Sequence, residues 1–521
     1  MTRLYDAIVV GSGAAGSWAA KELTEGGMQV LLLEAGPQRS AEDFTKLKES
    51  GSLFDLWPRL KASLRGQHIQ ALSNSFYESC RQFYINDRRH PYTTPYDKPF
   101  LWYRGRQVGG RLPTWGRMAL RMSDDDFTSA SADGYGIDWP ISYRELIASY
   151  ARVETFLGLR GTCEDLPQMP DGRYAGPLVL NPAELRFKAA VEAEWPGMHV
   201  IPPRIVRLET EPIPSPLNTA LGTGRLKMRT NAVVANLLLD AKGKRAKGVE
   251  FIDGLTRRRH QAFANVVVLC ASTIESVRIL LNSTSSRHPD GLGNSSKLLG
   301  RCLSDHCVSL LFGHVLHTSN KYDDANAIGF YVPEFQQLSI QKGNYLRGYA
   351  IQGAIDRNGP LWYLMAMGEM LPRLGNRITL DSRKKDVWGL PAVRLECRPS
   401  ENEIQMVADQ RTMLMAMAHV GGLEVARFGC GAFKWWLFHR WAPWSWRRPA
   451  SIPGTAIHEA GGARMGASPE ESVVNKFNQC WDADNVYVTD GACFPSSGCK
   501  NITLTIMALT VRACAHILQS E

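Results

Sequence analysis

The sequence predicts an α/β fold made of two units, one built on a parallel sheet and one set into it. Three observations support this. A strand, glycine turn, helix, strand and acid open the chain; a second buried strand enters a helix near residue 270; and between about 305 and 450 the pattern changes to strands, loops and one long helix. The opening is the most informative. Tyr5–Val10 reads as a short buried strand, and Gly11-Ser12-Gly13-Ala14-Ala15-Gly16 follows at once. A helical stretch runs to about Gly26, and Val30–Leu33 is a second apolar strand that ends in Glu34. This is the Rossmann-like dinucleotide-binding pattern. Gly11 permits the tight turn, Gly13 lets the backbone approach a pyrophosphate, and Gly16 allows close helix–strand packing. The helix N-terminus offers free N–H groups and a positive dipole to phosphates. Glu34 suits a ribose diol, and its charge disfavours a 2′-phosphate, so an NADP-type ligand is not expected. The motif alone does not separate NAD from FAD.

The remaining elements follow in order. Residues 37–100 are mixed and polar with little period. Leu101–Gly116 is rich in glycine and aromatic residues, which suits backbone held against a flat ligand. Ser142 with Glu145 three residues on is a capping box that starts a helix to about Phe156. Residues 160–182 are rich in Pro and Gly and read as loop. Strands are expected near Leu226–Arg229, Val233–Leu239, Gly248–Ile252 and Ala264–Leu269, the last leading into a helix through Leu281. Arg257-Arg258-Arg259-His260 lies between two of these strands and reads as an exposed hairpin tip. A long helix is expected at roughly Glu401–His419.

At 521 residues, two or more domains are expected. The net charge of +9 is scattered, with neither the basic stripe nor the module that nucleic-acid binding needs. No apolar run approaches a membrane span. No signal peptide precedes the first strand, so a cytoplasmic location is expected, with export on a partner left open. Eleven widely spaced cysteines, without a C-x-x-C, argue against a disulfide framework and against a zinc or iron–sulfur site; no metal is expected. Five of the 14 tryptophans crowd the stretch 433–448. Three readings fit that insert: packing, an aromatic lid over substrate, or a docking patch for a membrane surface or partner.

The last 70 residues carry the chemistry. They hold Ala456-Ile457-His458-Glu459-Ala460-Gly461-Gly462, then Val488-Thr489-Asp490-Gly491-Ala492-Cys493, then Asn501-Ile502-Thr503 entering a helix to about Leu518. That helix is apolar nearly all round and therefore buried, so its N-terminus aims a buried positive dipole at something, such as the charge of a reduced flavin. Together with the opening fingerprint and Val108-Gly109-Gly110, these motifs resemble the glucose–methanol–choline (GMC) oxidoreductases over essentially the whole chain. The closer likeness is to bacterial glucoside 3-dehydrogenases and glycoside 3-oxidases, a pyranose-oxidase-like group. It rests on Gly109-Gly110-Arg111, Trp115-Gly116-Arg117, Asp138-Trp139-Pro140-Ile141-Ser142 and Thr489-Asp490-Gly491-Ala492-Cys493.

The resemblance implies a Rossmann-like FAD-binding domain with an α+β substrate domain on a mostly antiparallel sheet, as in p-hydroxybenzoate hydroxylase. The FAD domain is expected to comprise 1–135, 185–304 and 455–521, and the substrate domain 136–184 and 305–454. It further implies that His458 and Asn501 face flavin N5, with His458 as general base and the Asn501 amide steadying the alcohol oxygen. Asn501 has a rival role as N-cap of the last helix; His306 reads as structural. Expected FAD contacts at the amino end are Gly11, Gly13, Ala14, Ala15, Gly16, Glu34 and Ala35. Arg104, Val108, Gly109, Gly110, Thr114, Trp115 and Gly116 are expected in the flavin segment. Val234, Ala271, Asp490, Gly491, Ile502 and Thr503 complete the set, and Gln352, His439 and Trp441 are candidate substrate contacts. Thr114 stands where some sugar oxidases carry a flavin-linked His, so non-covalent FAD is expected. The expected reaction is oxidation of a secondary ring hydroxyl of a sugar or glycoside, C3-OH to 3-keto. The electron acceptor is then O2, a soluble acceptor or a redox protein. A non-sugar natural-product or aryl alcohol, a hydroxynitrile-lyase activity and a flavin subunit whose main role is docking are the alternatives. Two departures stand out: Asn501-Ile502-Thr503 replaces the usual Asn-Pro-Thr, and Gly461-Gly462 replaces Gly-Thr after His458.

Overall fold

A computed structural model describes residues 4–46, 56–73, 75–206, 213–315, 329–335, 344–357, 361–425 and 448–520. The Trp-rich stretch up to residue 447, including His439 and Trp441, lies outside the described residues.

β1 (Leu4–Val10) runs into α1 (Ala14–Glu25) and returns as β2 (Val30–Leu33), parallel to β1 with Ala7 opposite Val30 and Val10 opposite Leu33. Every β2 residue is buried, because a parallel sheet is covered on both faces and needs continuous apolar strands. α2 (Tyr143–Leu157) opens on the expected box, the Ser142 N–H donating to Glu145 Oε2 at 2.9 Å. α3 (Pro182–Glu194) and α4 (Ser215–Gly222) follow. Next come β3 (Leu226–Arg229), the hairpin of β4 (Ala232–Leu239) and β5 (Ala246–Asp253), and β6 (Arg259–Leu269), which enters α5 (Thr273–Asn282). Arg257 and Arg258 are exposed in the turn before β6, as a hairpin tip requires.

A second sheet is built from β7 (His306–His314), β8 (Phe330–Val332), β9 (Tyr349–Ile355) and β10 (Leu361–Glu369). Its order is β7-β10-β9-β8 and every pairing is antiparallel. A ribbon of β11 (Arg377–Lys385) and β12 (Pro391–Glu396) leads to α6 (Glu401–Val420). The chain then returns to the first sheet through β13 (Gln479–Cys480) and β14 (Ala483–Val488) and ends in α7 (Thr503–Ser520). The first sheet reads β13-β14-β6-β1-β2-β3, parallel except at β13, with the β4–β5 hairpin antiparallel on β6. The opening strand β1 and the late strand β14 thus lie one strand apart, on either side of β6.

Packing explains which helix serves which sheet. α1 and α7 share a core of small and aliphatic side chains, among them Ala15, Ala19, Leu23, Ala513 and Ile517. α6 and α3 cover the second sheet, with Phe187, Val191, Met406 and Leu414 against Phe330, Ile351 and Leu364. Two segments sit apart from their expected units. α2, expected with the substrate domain, packs on α1 and α7: Trp18 meets Phe156 edge-on at 5.2 Å, and the Tyr150 and Thr505 hydroxyls lie 2.8 Å apart. α3, expected largely with the FAD domain, belongs to the core of the second sheet. A helix follows whichever apolar surface its buried stripe matches, and sequence neighbours do not decide that.

Candidate active site

The turn after β1 shows why its glycines differ. A Cβ on Gly11 would stand 2.4 Å from the Cys270 carbonyl oxygen, and one on Gly16 would stand 1.9 Å from the Gly11 carbonyl oxygen. Both are required by the protein's own packing. A Cβ on Gly13 would meet nothing nearer than 3.9 Å, yet Gly13 lines a cavity. That space is kept clear for something other than protein. The N-cap of α1 has no side-chain partner, so the first-turn N–H groups are available to an anion.

Glu34 closes this end. Its Oε2 accepts from Ser12 N at 3.0 Å and Ser12 Oγ at 2.6 Å, and its Oε1 accepts from Gly36 N at 2.7 Å. Burial raises the carboxyl above its usual range, against the lowering effect of those bonds. Ser12 Oγ in turn accepts from Gly109 N at 3.0 Å, tying the flavin segment to the fingerprint turn. Sequence reasoning passed over Ser12; its place between Gly11 and Gly13 of the fingerprint was the available signal.

From Glu34 a continuous cavity of about 370 Å³ runs to His458. Gly13, Ala14, Ala15, Ala35, Arg104 and Gly110 line it, as do Thr114, Trp115, Gly116, Val234 and Ala271. Asp490, Gly491, Asn501, Ile502 and Thr503 line the same space from the carboxyl end, and Gln352 from β9. Three expected contacts stand back from it. Gly16 lies beneath α1 against Gly11, Val108 is buried in the core shared by α1 and α7, and Gly109 is engaged by Ser12. Met365 and Met367, on alternate positions of β10, and Val308 on β7 form a further wall that sequence reasoning did not foresee. Their strands carry no motif, and only pairing aims these side chains at the cavity.

At the far end, Asp305 organises the loop that presents His458. Its Oδ2 accepts from Gly454 N at 2.7 Å and Ala456 N at 3.1 Å, and its Oδ1 accepts from His458 N at 3.0 Å. Burial, with Glu459 nearby, pushes the Asp305 carboxyl up to about 7. His458 is half-buried and lines the cavity. Its Nε2 lies 3.4 Å from Asn501 Nδ2, and its Nδ1 lies 3.2 Å from His306 Nδ1. The Asn501 oxygen accepts from Gln352 Nε2 at 3.0 Å. α7 begins at Thr503, and the Asn501 side chain is turned to His458 and Gln352 instead of toward the helix. Burial holds His458 well below the usual imidazole range, with His306 and Arg111 adding to it. His306, expected to be purely structural, is in direct contact with His458. Beside them Arg111 pairs with buried Glu459, Nη2 to Oε2 at 2.9 Å.

The arrangement is a glycine turn with free first-turn N–H groups, a buried acid and an imidazole–amide pair around one cavity. The open space at Gly13, the free first-turn N–H groups and the cavity's reach from Glu34 to His458 fit a flavin dinucleotide. Fold and site define an FAD-dependent enzyme that oxidises alcohols. Models of the GMC oxidoreductase family match residues 215–308 and 372–510, and an FAD binding domain model matches residues 6–86. The chain belongs to the GMC oxidoreductase family. It is 28% identical to 2-methyl-1,2-propanediol dehydrogenase of Mycolicibacterium austroafricanum, over 98% of this chain and 95% of that one. It is 25% identical to the fructose dehydrogenase large subunit of Gluconobacter japonicus, over 98% and 97%. Its fold superposes on formate oxidase of Aspergillus oryzae RIB40 with a TM-score of 0.69 at 14% identity, covering 100% and 99%. No helix of the described residues is long and apolar enough to cross a membrane.

Proposed function

We propose that the enzyme oxidises a secondary ring hydroxyl of a sugar or glycoside, at C3, with His458 as general base. The observation that carries the base assignment is His458 on the cavity wall, its Nε2 beside an amide whose donor points at it. An alcohol becomes a carbonyl by losing a hydride from carbon and a proton from oxygen. His458 Nε2 takes the proton; its depressed pKa keeps it neutral and ready at physiological pH. Asn501 Nδ2 donates to the alcohol oxygen and steadies its growing negative charge without titrating. Bound FAD supplies the two-electron acceptor for the hydride.

Gly13, the α1 N-terminus and Glu34 would hold the dinucleotide end, while Asp490, Ile502 and Thr503 would meet the ring system. Thr114 offers no flavin-linking His, and its Oγ1 donates to the Arg111 carbonyl oxygen at 3.2 Å, which supports a non-covalent cofactor. Gln352, Thr455 and Arg111 supply hydrogen-bonding groups for a polyol, and Trp115 supplies a flat face for sugar C–H bonds. The sugar assignment draws on the likeness to fructose dehydrogenase, and the C3 position on the segments shared with the 3-oxidising group. A non-sugar diol is the second reading, favoured by the apolar wall of Val308, Met365 and Met367 and the likeness to 2-methyl-1,2-propanediol dehydrogenase.

Anaerobic titration of the yellow holoenzyme separates the two. Methyl glucosides should bleach the flavin and yield a 3-keto product. Bleaching by small diols with none by any sugar would reject the sugar reading. Admitting air afterwards sorts the acceptor: fast recolouring marks an oxidase, slow recolouring a dehydrogenase.

A further inference from the structure

We infer that His306 is a positioning residue that sets the tautomer of His458 and so decides which of its nitrogens presents a lone pair to the cavity. This rests on the base role given to His458 above and names the residue that makes that role work.

The direction of the hydrogen bonds follows from one fixed point. The Gly498 backbone carbonyl only accepts. His306 Nε2 lies 2.9 Å from that oxygen, so Nε2 carries a proton. Burial holds His306 neutral, with its pKa down to about 4, so its Nδ1 is bare. The His458 Nδ1 lies 3.2 Å away. Two bare nitrogens at that distance would repel, so His458 Nδ1 carries the proton and donates it. The rings stand at 86° to each other, with centroids 5.1 Å apart, so the contact is a nitrogen-to-nitrogen bond and not a stack. A neutral imidazole protonated at Nδ1 is bare at Nε2. The neighbour of Nε2 agrees. Asn501 turns its Nδ2 donor toward it at 3.4 Å, because its oxygen is held by Gln352 Nε2 at 3.0 Å. Every donor then points one way, from Gln352 through Asn501, His458 and His306 to Gly498, with no opposed pair. The opposite tautomer would break this series at the His458–His306 contact.

The choice of a neutral partner also has a reason. A carboxylate often orients a catalytic histidine. Here Asp305 and Glu459 are already buried beside His458, and a third carboxylate would add like charge to the site. A neutral imidazole accepts the Nδ1 proton without that penalty. When Nε2 takes up a substrate proton, the Nδ1–H stays bonded to His306, and no second proton needs to move.

The test is nitrogen NMR of holoenzyme labelled with 15N-histidine, the His458 signals being assigned by their loss in His458→Gln. His306→Asn keeps an acceptor oxygen near the position of Nδ1; His306→Leu removes it. Wild type and His306→Asn should show His458 protonated at Nδ1 and bare at Nε2, and His306→Leu should move it toward the Nε2–H form. Anaerobic flavin reduction by methyl β-glucoside should slow ~100-fold in His306→Leu and less than ~10-fold in His306→Asn. A wild-type His458 protonated at Nε2, or a tautomer unchanged in His306→Leu, overturns the inference. The wild-type spectrum decides even where His306→Leu does not fold. A bare Nε2 in an enzyme that no glycoside reduces would leave this inference standing and reject the sugar substrate alone.

Discussion

Ile457 has φ +65, a left-handed backbone that a β-branched residue adopts at a cost of about 1–3 kcal/mol. The surroundings must enforce it, and the three N–H bonds into Asp305 on either side of Ile457 are what does so. They aim the next residue, His458, into the cavity. His458→Ala should then lower turnover at least ~100-fold while the flavin spectrum persists, measured by anaerobic reduction of the purified holoenzyme. The acid and its neighbour His306 also titrate in opposite senses. Asp305 is raised to about 7, so its stability contribution is complete below its unfolded value near 4 and is lost as pH rises toward 7. His306 is lowered to about 4, so its contribution is complete above its unfolded value of about 6.5 and is lost as pH falls toward 4. Denaturant unfolding at paired pH values should therefore show Asp305→Asn costing most at acid pH and His306→Asn costing most at neutral pH. Each difference should change by ~3–4 kcal/mol across the window, and equal slopes for the two variants would refute the assignment.

The turn between β1 and α1 separates glycines that the fold needs from one, Gly13, that packing leaves free and that we assign to the ligand. Gly16→Ala drives a methyl group into the Gly11 carbonyl oxygen and should destabilise the protein by ~1–3 kcal/mol. Gly13→Ala meets no protein atom within 3.9 Å and keeps an ordinary φ of −71, so the apoprotein should melt within ~1 kcal/mol of wild type. The same substitution should weaken FAD retention at least ~10-fold, read by fluorescence of released flavin. This element is legible in sequence because each part leaves a local mark: alternation of period, glycine spacing, a terminal acid. β2 and β3 are readable to their end residues for the same reason. The Asp305 clasp is not legible. It joins residues about 150 positions apart through backbone N–H groups, which any amino acid supplies. His306 is hidden likewise, since a histidine opening an apolar strand carries no sign of which ring it touches. Gln352 was placed at the site, but its anchoring of the Asn501 amide follows only from the pairing of the second sheet.

For the whole molecule, the order of strands in the first sheet has a thermodynamic consequence. The cavity is walled by the β1–α1 turn, by the segment from 458 to 503, and by β7, β9 and β10 of the second sheet. Unfolding either sheet removes part of that wall, so FAD binds the folded state alone and its binding is linked to global stability. Apoprotein supplied with free FAD at about 100 times its dissociation constant should gain ~2.7 kcal/mol, seen as a melting temperature that climbs with FAD concentration. Gly13→Ala should melt like wild type without FAD and lose most of that gain with it. On the proposed non-covalent attachment, acid or heat should release all of the flavin into the supernatant. Flavin remaining on the precipitated chain would show a covalent bond and overturn the role given to Thr114. An FAD-independent melting temperature would mean that FAD does not bind the folded state in preference to the unfolded one, and the cavity would lose the ligand assigned to it.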